Sequence, residues 1–159
     1  MTNMTRQMSC KQLYFVRHGE TALNASGCLQ GSGTDDGLSA KGRHQAEFLR
    51  NSLEDVGFEL AIVTHLVRTK ETAMIVLEKH PDVPILEVKE LGEISWGIME
   101  GQPNSIVQQL KQTWDDGNFD AACPEGESPL QVESRAVPAI YSIIHSRPET
   151  KILFICKFY

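Results

Sequence analysis

The sequence predicts a three-layer α/β domain, a mainly parallel sheet with helices on both faces. Three observations predict it. Short apolar runs alternate with helix-length patterns in the order β, α, β, α, β, the mark of crossover units rather than hairpins. The run KILFIC at residues 151–156 is continuously apolar after its first residue, as a strand covered on both faces is. The length, 159 residues, is that of one domain and buries enough surface to fold without a disulfide framework or structural metal.

Each element has its own signal. Residues 11–16 (KQLYFV) are rich in aromatic and β-branched side chains and stop at Arg17-His18-Gly19, which reads as a buried strand. Residues 1–10 precede it as a flexible tail, so the domain is 11–159. Residues 24–37 hold four glycines with Ser, Thr and Asp and read as a loop. Ser39 caps a helix striped by Ala46, Leu49 and Leu53, with Gly57 expected as its left-handed C-cap. A strand at 60–63 follows. The pattern Ala73, Val76, Leu77 predicts a helix over 67–79, closed by Pro81 and Pro84 ahead of a short strand at 85–88. Residues 92–101 read as loop, 105–114 as helix, 115–129 as turns and 130–145 as a helix that Pro138 should kink. The buried strand 151–156 comes last.

Composition narrows the function. Hydrophobic residues at 41% and charged residues at 23% exclude disordered, collagen-like and membrane classes. The first hundred residues carry 10 basic and 14 acidic side chains and the remainder 5 and 7, an even acidity with no basic stripe for nucleic-acid phosphates. No apolar run approaches the about 20 residues a bilayer requires, and residues 1–10 lack the apolar centre of a secretory signal, so the cytoplasm is the expected location. Cys10, Cys28, Cys123 and Cys156 are scattered without a Cys-x-x-Cys pair, which suits reduced thiols and offers no zinc spacing.

The chemistry concentrates directly after the first strand, at the carboxyl end where parallel sheets bind ligands. In Arg17-His18-Gly19-Glu20-Thr21, a neutral imidazole can attack phosphorus, a guanidinium can grip phosphate oxygens in pairs, and a glycine admits an anion close to the backbone. A bland assignment competes: Arg17 paired with a surface carboxylate, His18 merely hydrogen-bonded and Gly19 turning the chain. Arg68 at a helix start opposes the helix dipole, which favours a functional over a structural role. His44, His80 and His145 read as surface residues, His65 could line a pocket, and Trp96 and Trp114 read as core or pocket wall.

VRHGET followed by Asn24 resembles the signature of the histidine phosphatase superfamily, also called phosphoglycerate mutase-like. THLVRTKET at 64–72 resembles its second block and LGEISWGIMEG at 91–101 its third, while PEGES at 124–128 resembles the phosphatase branch. The resemblance implies that His18 is the nucleophile and forms a phosphohistidine that water hydrolyses, and that Glu93 is the proton donor. Among Glu87, Glu90, Glu93 and Glu100, only the resemblance singles out Glu93. It further implies that Arg17 and Arg68 neutralise the phosphoryl oxygens, that Asn24 adds a neutral hydrogen bond, and that Gln30 and Gly31 contact the rest of the substrate. The guanidinium pair supplies the charge other phosphotransferases take from magnesium, so no metal or cofactor is expected.

One position departs from the pattern. After the strand 151–156 the family presents a second catalytic histidine, then glycine and a further helix; here Lys157 stands in that place. The chain is expected to be truncated, its C-terminal part missing, with the last strand and its neighbours left partly exposed. The function expected is hydrolysis of a small phosphorylated metabolite, impaired in this form. The alternative is an inactive relative that binds phosphate or a protein partner, and a phosphoglycerate mutase is the third reading. The expected partner is the small phosphorylated substrate, with neither nucleic acid nor membrane, and no oligomeric state is specified.

Overall fold

The computed structural model describes residues 10–157. The flexible tail expected at 1–10 thus lies, Cys10 apart, outside the described residues.

The predicted parallel sheet is present. Its four strands are β1 (Gln12–Val16), β2 (Leu60–Val63), β3 (Ile85–Glu87) and β4 (Lys151–Ile155), in the spatial order β1-β4-β2-β3 with every pairing parallel. The last strand of the sequence is therefore inserted between the first two. Val16 and Val63 both register against Ile155, which aligns the carboxyl ends of β1, β2 and β4 on one rim.

Period-two alternation divides the two buried strands between two cores. Ala61, Val63, Leu153 and Ile155 face one side, against Ala46 and Leu49 of α2 (Ala40–Ser52) and Ala73 and Val76 of α3 (Val67–Val76). Leu60, Ile62, Ile152 and Phe154 face the other, against Ala136, Ile140 and Ile143 of α5 (Pro129–Ser146). A third cluster, Leu29, Ile94, Trp96, Val107, Trp114 and Cys123, packs loops around α4 (Gln108–Asp115). Trp96 and Trp114 are stacked at 5.8 Å within it, in the wall role read for them.

Several expectations need correction. The first strand is a sheet edge rather than buried, and Phe15 on it is 47% exposed while its ring stacks on Phe154 at 4.7 Å. The last strand is not left exposed: Ile152 to Ile155 are wholly buried, because β1 and β2 flank it and helices cover both faces. The α2 helix ends at Ser52 with Leu53 as its C-cap, four residues before Gly57, and Gly57 is not left-handed. His80 is half-buried, its Nε2 within 3.1 Å of the Leu53 carbonyl oxygen, so it helps satisfy the end of α2 rather than face solvent. The helix expected from Ser105 opens as a tighter 3-10 turn, Asn104–Val107, before α4.

The loop after β1 is locked against the start of α2. The backbone runs so close there that a Cβ on Gly42 would lie 2.1 Å from the Glu20 carbonyl oxygen and one on Gly19 would lie 2.3 Å from that of Gly42. Neither neighbour can move without displacing main chain. Gly42→Ala should therefore lower stability by about 1–3 kcal/mol, the usual cost of overpacking. An unchanged urea midpoint would show that this approach is loose.

Candidate active site

His18 follows the first residue past β1 and is 6% exposed. Its Nδ1 lies 2.8 Å from the Gly19 carbonyl oxygen, which can only accept, so Nδ1 carries the proton and Nε2 keeps the lone pair. Burial holds its pKa well below the usual 6.5, at about 4, and the charges of Arg68, Arg17 and Lys157 push the same way. Near neutrality the ring is an uncharged nucleophile. The Gly19 N–H donates to Thr72 Oγ1 at 3.1 Å, and that hydroxyl donates to the Arg68 carbonyl at 2.7 Å, tying the loop to α3.

This buried ring also makes stability pH-dependent. Between pH 6.5 and about 4 the unfolded chain takes up a proton that the folded ring refuses, so the contribution is complete above pH 6.5 and lost as pH falls toward 4. It amounts to about 3 kcal/mol. Glu93 works in the opposite sense, since its raised pKa favours the folded state when protonated. Urea denaturation of His18→Asn should accordingly show a shallower acid-side loss than the unmodified chain. Parallel curves would mean the ring is solvated in both states.

Arg68 is fully buried at the start of α3. Leu66, at the cap position, has no side chain to offer the helix; the Asp35 carboxylate accepts from the Val67 N–H at 2.6 Å instead. Arg68 donates to the carbonyl oxygens of Thr34 at 2.9 Å and Gly31 at 3.1 Å, so it clamps the loop between β1 and α2. Its Nε has no hydrogen-bond partner among the described residues. The structural and functional readings of Arg68 thus coexist. Gly31 is obligatory here, since a Cβ would lie 2.4 Å from Glu100 Oε1 and 2.5 Å from the Ile94 carbonyl.

Asn24 is the third residue of α1 (Ala22–Ala25) and completes a capping box at its start with Thr21, its Oδ1 accepting from the Thr21 N–H at 3.4 Å. Gln30 is 5% exposed; its Oε1 accepts from the Thr21 hydroxyl at 2.6 Å, and its Nε2 has no partner among the described residues. Arg17 is exposed and makes no hydrogen bond or ion pair among the described residues, contrary to the surface-pairing alternative. Arg17, His18 and Asn24 line one cavity of about 380 Å³.

Glu93 is distinguished from its neighbours by burial. It is 3% exposed, whereas Glu87 and Glu90 face solvent and Glu100 is half-buried. Burial raises its pKa, with Lys157 and Arg68 opposing. Lys157 Nζ lies 3.6 Å from Glu93 Oε2, and burial pulls the ammonium's own pKa down. Cys156, one residue before, is pushed up to about 12 by burial and by Glu93, so it is a thiol rather than a nucleophilic thiolate.

Sequence reasoning missed the support for Glu93. Arg135 of α5 donates to the carbonyls of Glu90 at 2.6 Å, Gly92 at 2.9 Å and Glu93 at 3.0 Å, and grips both oxygens of Glu127. Glu127 in turn accepts from the Ser95 N–H at 2.9 Å. The signal lay in the second glutamate of PEGES and an arginine eight residues on, but nothing local says that they meet the Glu93 loop. Glu93 and His65 line a cavity of about 620 Å³, and His18 is not among the described residues that line it. Among the described residues no group of three or more His, Cys, Asp or Glu stands as a metal site, and no helix is long and apolar enough to cross a membrane.

The sequence matches the profile of the histidine phosphatase superfamily, branch 1, over residues 13–157. It is 30% identical over 148 residues to a protein of Serratia proteamaculans named "Probable phosphoglycerate mutase GpmB", covering 91% of this chain and 68% of that one. It is 35% identical over 127 residues to fructose-2,6-bisphosphatase TIGAR of Xenopus tropicalis, covering 78% of this chain and 46% of that one. Among solved structures, alpha-ribazole phosphatase from Shigella flexneri superposes with a TM-score of 0.77 at 28% identity, covering 91% of this chain and 72% of that one. The chain thus spans between about half and two thirds of these curated relatives. The matched profile, the parallel sheet and the blocks around His18, Arg68 and Glu93 agree: the chain belongs to the histidine phosphatase superfamily.

Proposed function

We propose that this chain is a phosphomonoesterase-type domain in which His18 takes the phosphoryl group of a small phosphorylated metabolite. The observation that carries the reading is the His18 ring itself: neutral, protonated at Nδ1 toward a backbone carbonyl, and sharing a cavity with Arg17. In the proposed step Nε2 bonds to phosphorus as the ester P–O bond breaks, and the leaving alkoxide takes the Glu93 proton. Water then attacks the phosphorus of the phosphohistidine, the P–Nε2 bond breaks with its electron pair returning to the imidazole, and the water's proton goes to Glu93. Arg17 and the free edge of Arg68 balance the oxygens' charge, with Asn24 as a neutral donor and the 30–31 loop beside the remaining substrate.

A second reading is favoured by Lys157. Its ammonium stabilises Glu93 as the carboxylate, which works against proton donation and toward phosphate binding without turnover. One experiment separates the two. After rapid quenching of a reaction with p-nitrophenyl phosphate, acid-labile phosphate should map to His18 and vanish in His18→Ala. Label on another residue, or undiminished turnover in His18→Ala, would overturn the first reading. Tight phosphate binding with no label at any time would establish the second.

A further inference from the structure

Lys157 is a nitrogen nucleophile that the proposed phosphoryl transfer does not use. It lies two residues past β4, and its side chain is 20% exposed. With Arg17, Asn24 and Lys111 it lines a cavity of about 260 Å³. Arg17 and Asn24 also line the cavity that holds His18, so the two spaces share a wall. Against the same ammonium stands a buried carboxyl group, with Lys157 Nζ 3.6 Å from Glu93 Oε2. An amine that lines a cavity and touches a carboxyl group has both parts that imine formation needs, a nucleophile and a proton carrier.

We propose that Lys157 is a covalent site for phosphorylated aldehydes, its amine forming an imine with the carbonyl carbon of a molecule whose phosphoryl group sits at His18. The inference rests on the proposed phosphoryl site. Glu93 first takes a proton from the Lys157 ammonium, and the amine's lone pair forms the C–N bond as the carbonyl π pair moves to oxygen. The nitrogen passes one proton to that oxygen, giving a carbinolamine. Glu93 then returns its proton to the hydroxyl, water leaves with the C–O pair, and the nitrogen lone pair closes the C=N bond. The product is an iminium beside the Glu93 carboxylate, with one water released and nothing oxidised or reduced. Desolvation favours the opening transfer. Burial lowers the Lys157 pKa; Glu93 opposes this, and Arg17 and Lys111 add to the lowering. Burial also raises the Glu93 pKa, so its carboxyl group can hold the proton between steps. Lys111, the other amine of the cavity, is engaged 5.6 Å above the Trp96 ring instead.

Reductive trapping on the whole chain tests this with two aldehydes whose P–C bond resists hydrolysis, phosphonoacetaldehyde and 4-phosphonobutanal, beside acetaldehyde and butanal. Sodium cyanoborohydride reduces any imine to a secondary amine, which peptide mass mapping locates. At least one phosphonate should label Lys157 about tenfold faster than its phosphonate-free counterpart, and excess orthophosphate should abolish that advantage. Lys79, at an exposed position, should show no such preference. Lys111→Arg, which keeps the charge and removes the neighbouring amine, should retain the label on Lys157. Equal rates at Lys157 with and without the phosphonate, a preference shared by Lys79, or label that falls on Lys111 instead would overturn the inference. Calorimetric binding of orthophosphate that is lost in Arg68→Ala would keep the phosphoryl site even then. Orthophosphate that fails to bind would overturn both.

Discussion

Arg68→Ala should weaken binding of orthovanadate or inorganic phosphate by about 3 kcal/mol, roughly a hundredfold, because it removes a buried charge-assisted donor from the proposed phosphoryl site. The same substitution should destabilise the fold by about 2–4 kcal/mol, since the carbonyls of Gly31 and Thr34 lose their donor and a fully buried side chain leaves a cavity. Calorimetry and urea midpoints read the two effects separately. Arg68→Lys keeps the charge without the planar fork, so it should lose stability while losing less affinity. Arg43 supplies the control: it is half-exposed and pairs with Glu71 at 3.0 Å, a contact worth less than about 1 kcal/mol. Equal loss of affinity in Arg43→Ala would show that the anion site has been misplaced.

Lys157→His should raise turnover of p-nitrophenyl phosphate by about a hundredfold, the low end of what one transition-state donor contributes. Position 157 lies two residues past β4, whose residues Ile152 to Ile155 are buried between β1 and β2. A lysine in that place presents a mobile point charge and pairs with Glu93; an imidazole presents a directed N–H and frees the carboxyl group. Removing the ammonium also removes the largest influence lowering the Glu93 pKa, so the pKa should rise further. The alkaline limb of the kcat profile should then move upward, as a proton donor's limb does. Unchanged turnover with an unmoved limb would refute the role assigned to this position. If kcat rises while the limb stays put, the gain comes from the imidazole and not from Glu93.

The folding pattern was legible because it is local. Apolar runs, Ser39 before its helix, and turn-rich connections each act over a few residues, and the resulting elements begin and end close to where those signals stand. What failed was of another kind. The KQLYFV run was as apolar as a buried strand, but burial depends on having neighbours on both sides, and the insertion of β4 between β1 and β2 left β1 at the edge. The same insertion sealed the final strand that the sequence led one to expect exposed. Gly57 was a sound C-cap signal, yet α2 is capped at Leu53, whose carbonyl the His80 imidazole meets from 27 residues away.

By itself the sequence determined the family, the parallel α/β class and the positions of His18, Arg17, Arg68 and Glu93, since each lies in a contiguous block whose spacing survives without any knowledge of the fold. Only the tertiary structure decided what those side chains are. Burial makes His18 neutral and raises the pKa of Glu93, while Glu87 and Glu90 face solvent. The Gly31 and Thr34 carbonyls make Arg68 a loop clamp as well as a cation, and Arg135 braces the Glu93 loop from 42 residues away. Convergence of Arg17, Lys111 and Lys157 on one cavity is of the same kind. Desolvation and Coulomb forces act through space, and the distances that set them exist only once the chain has closed.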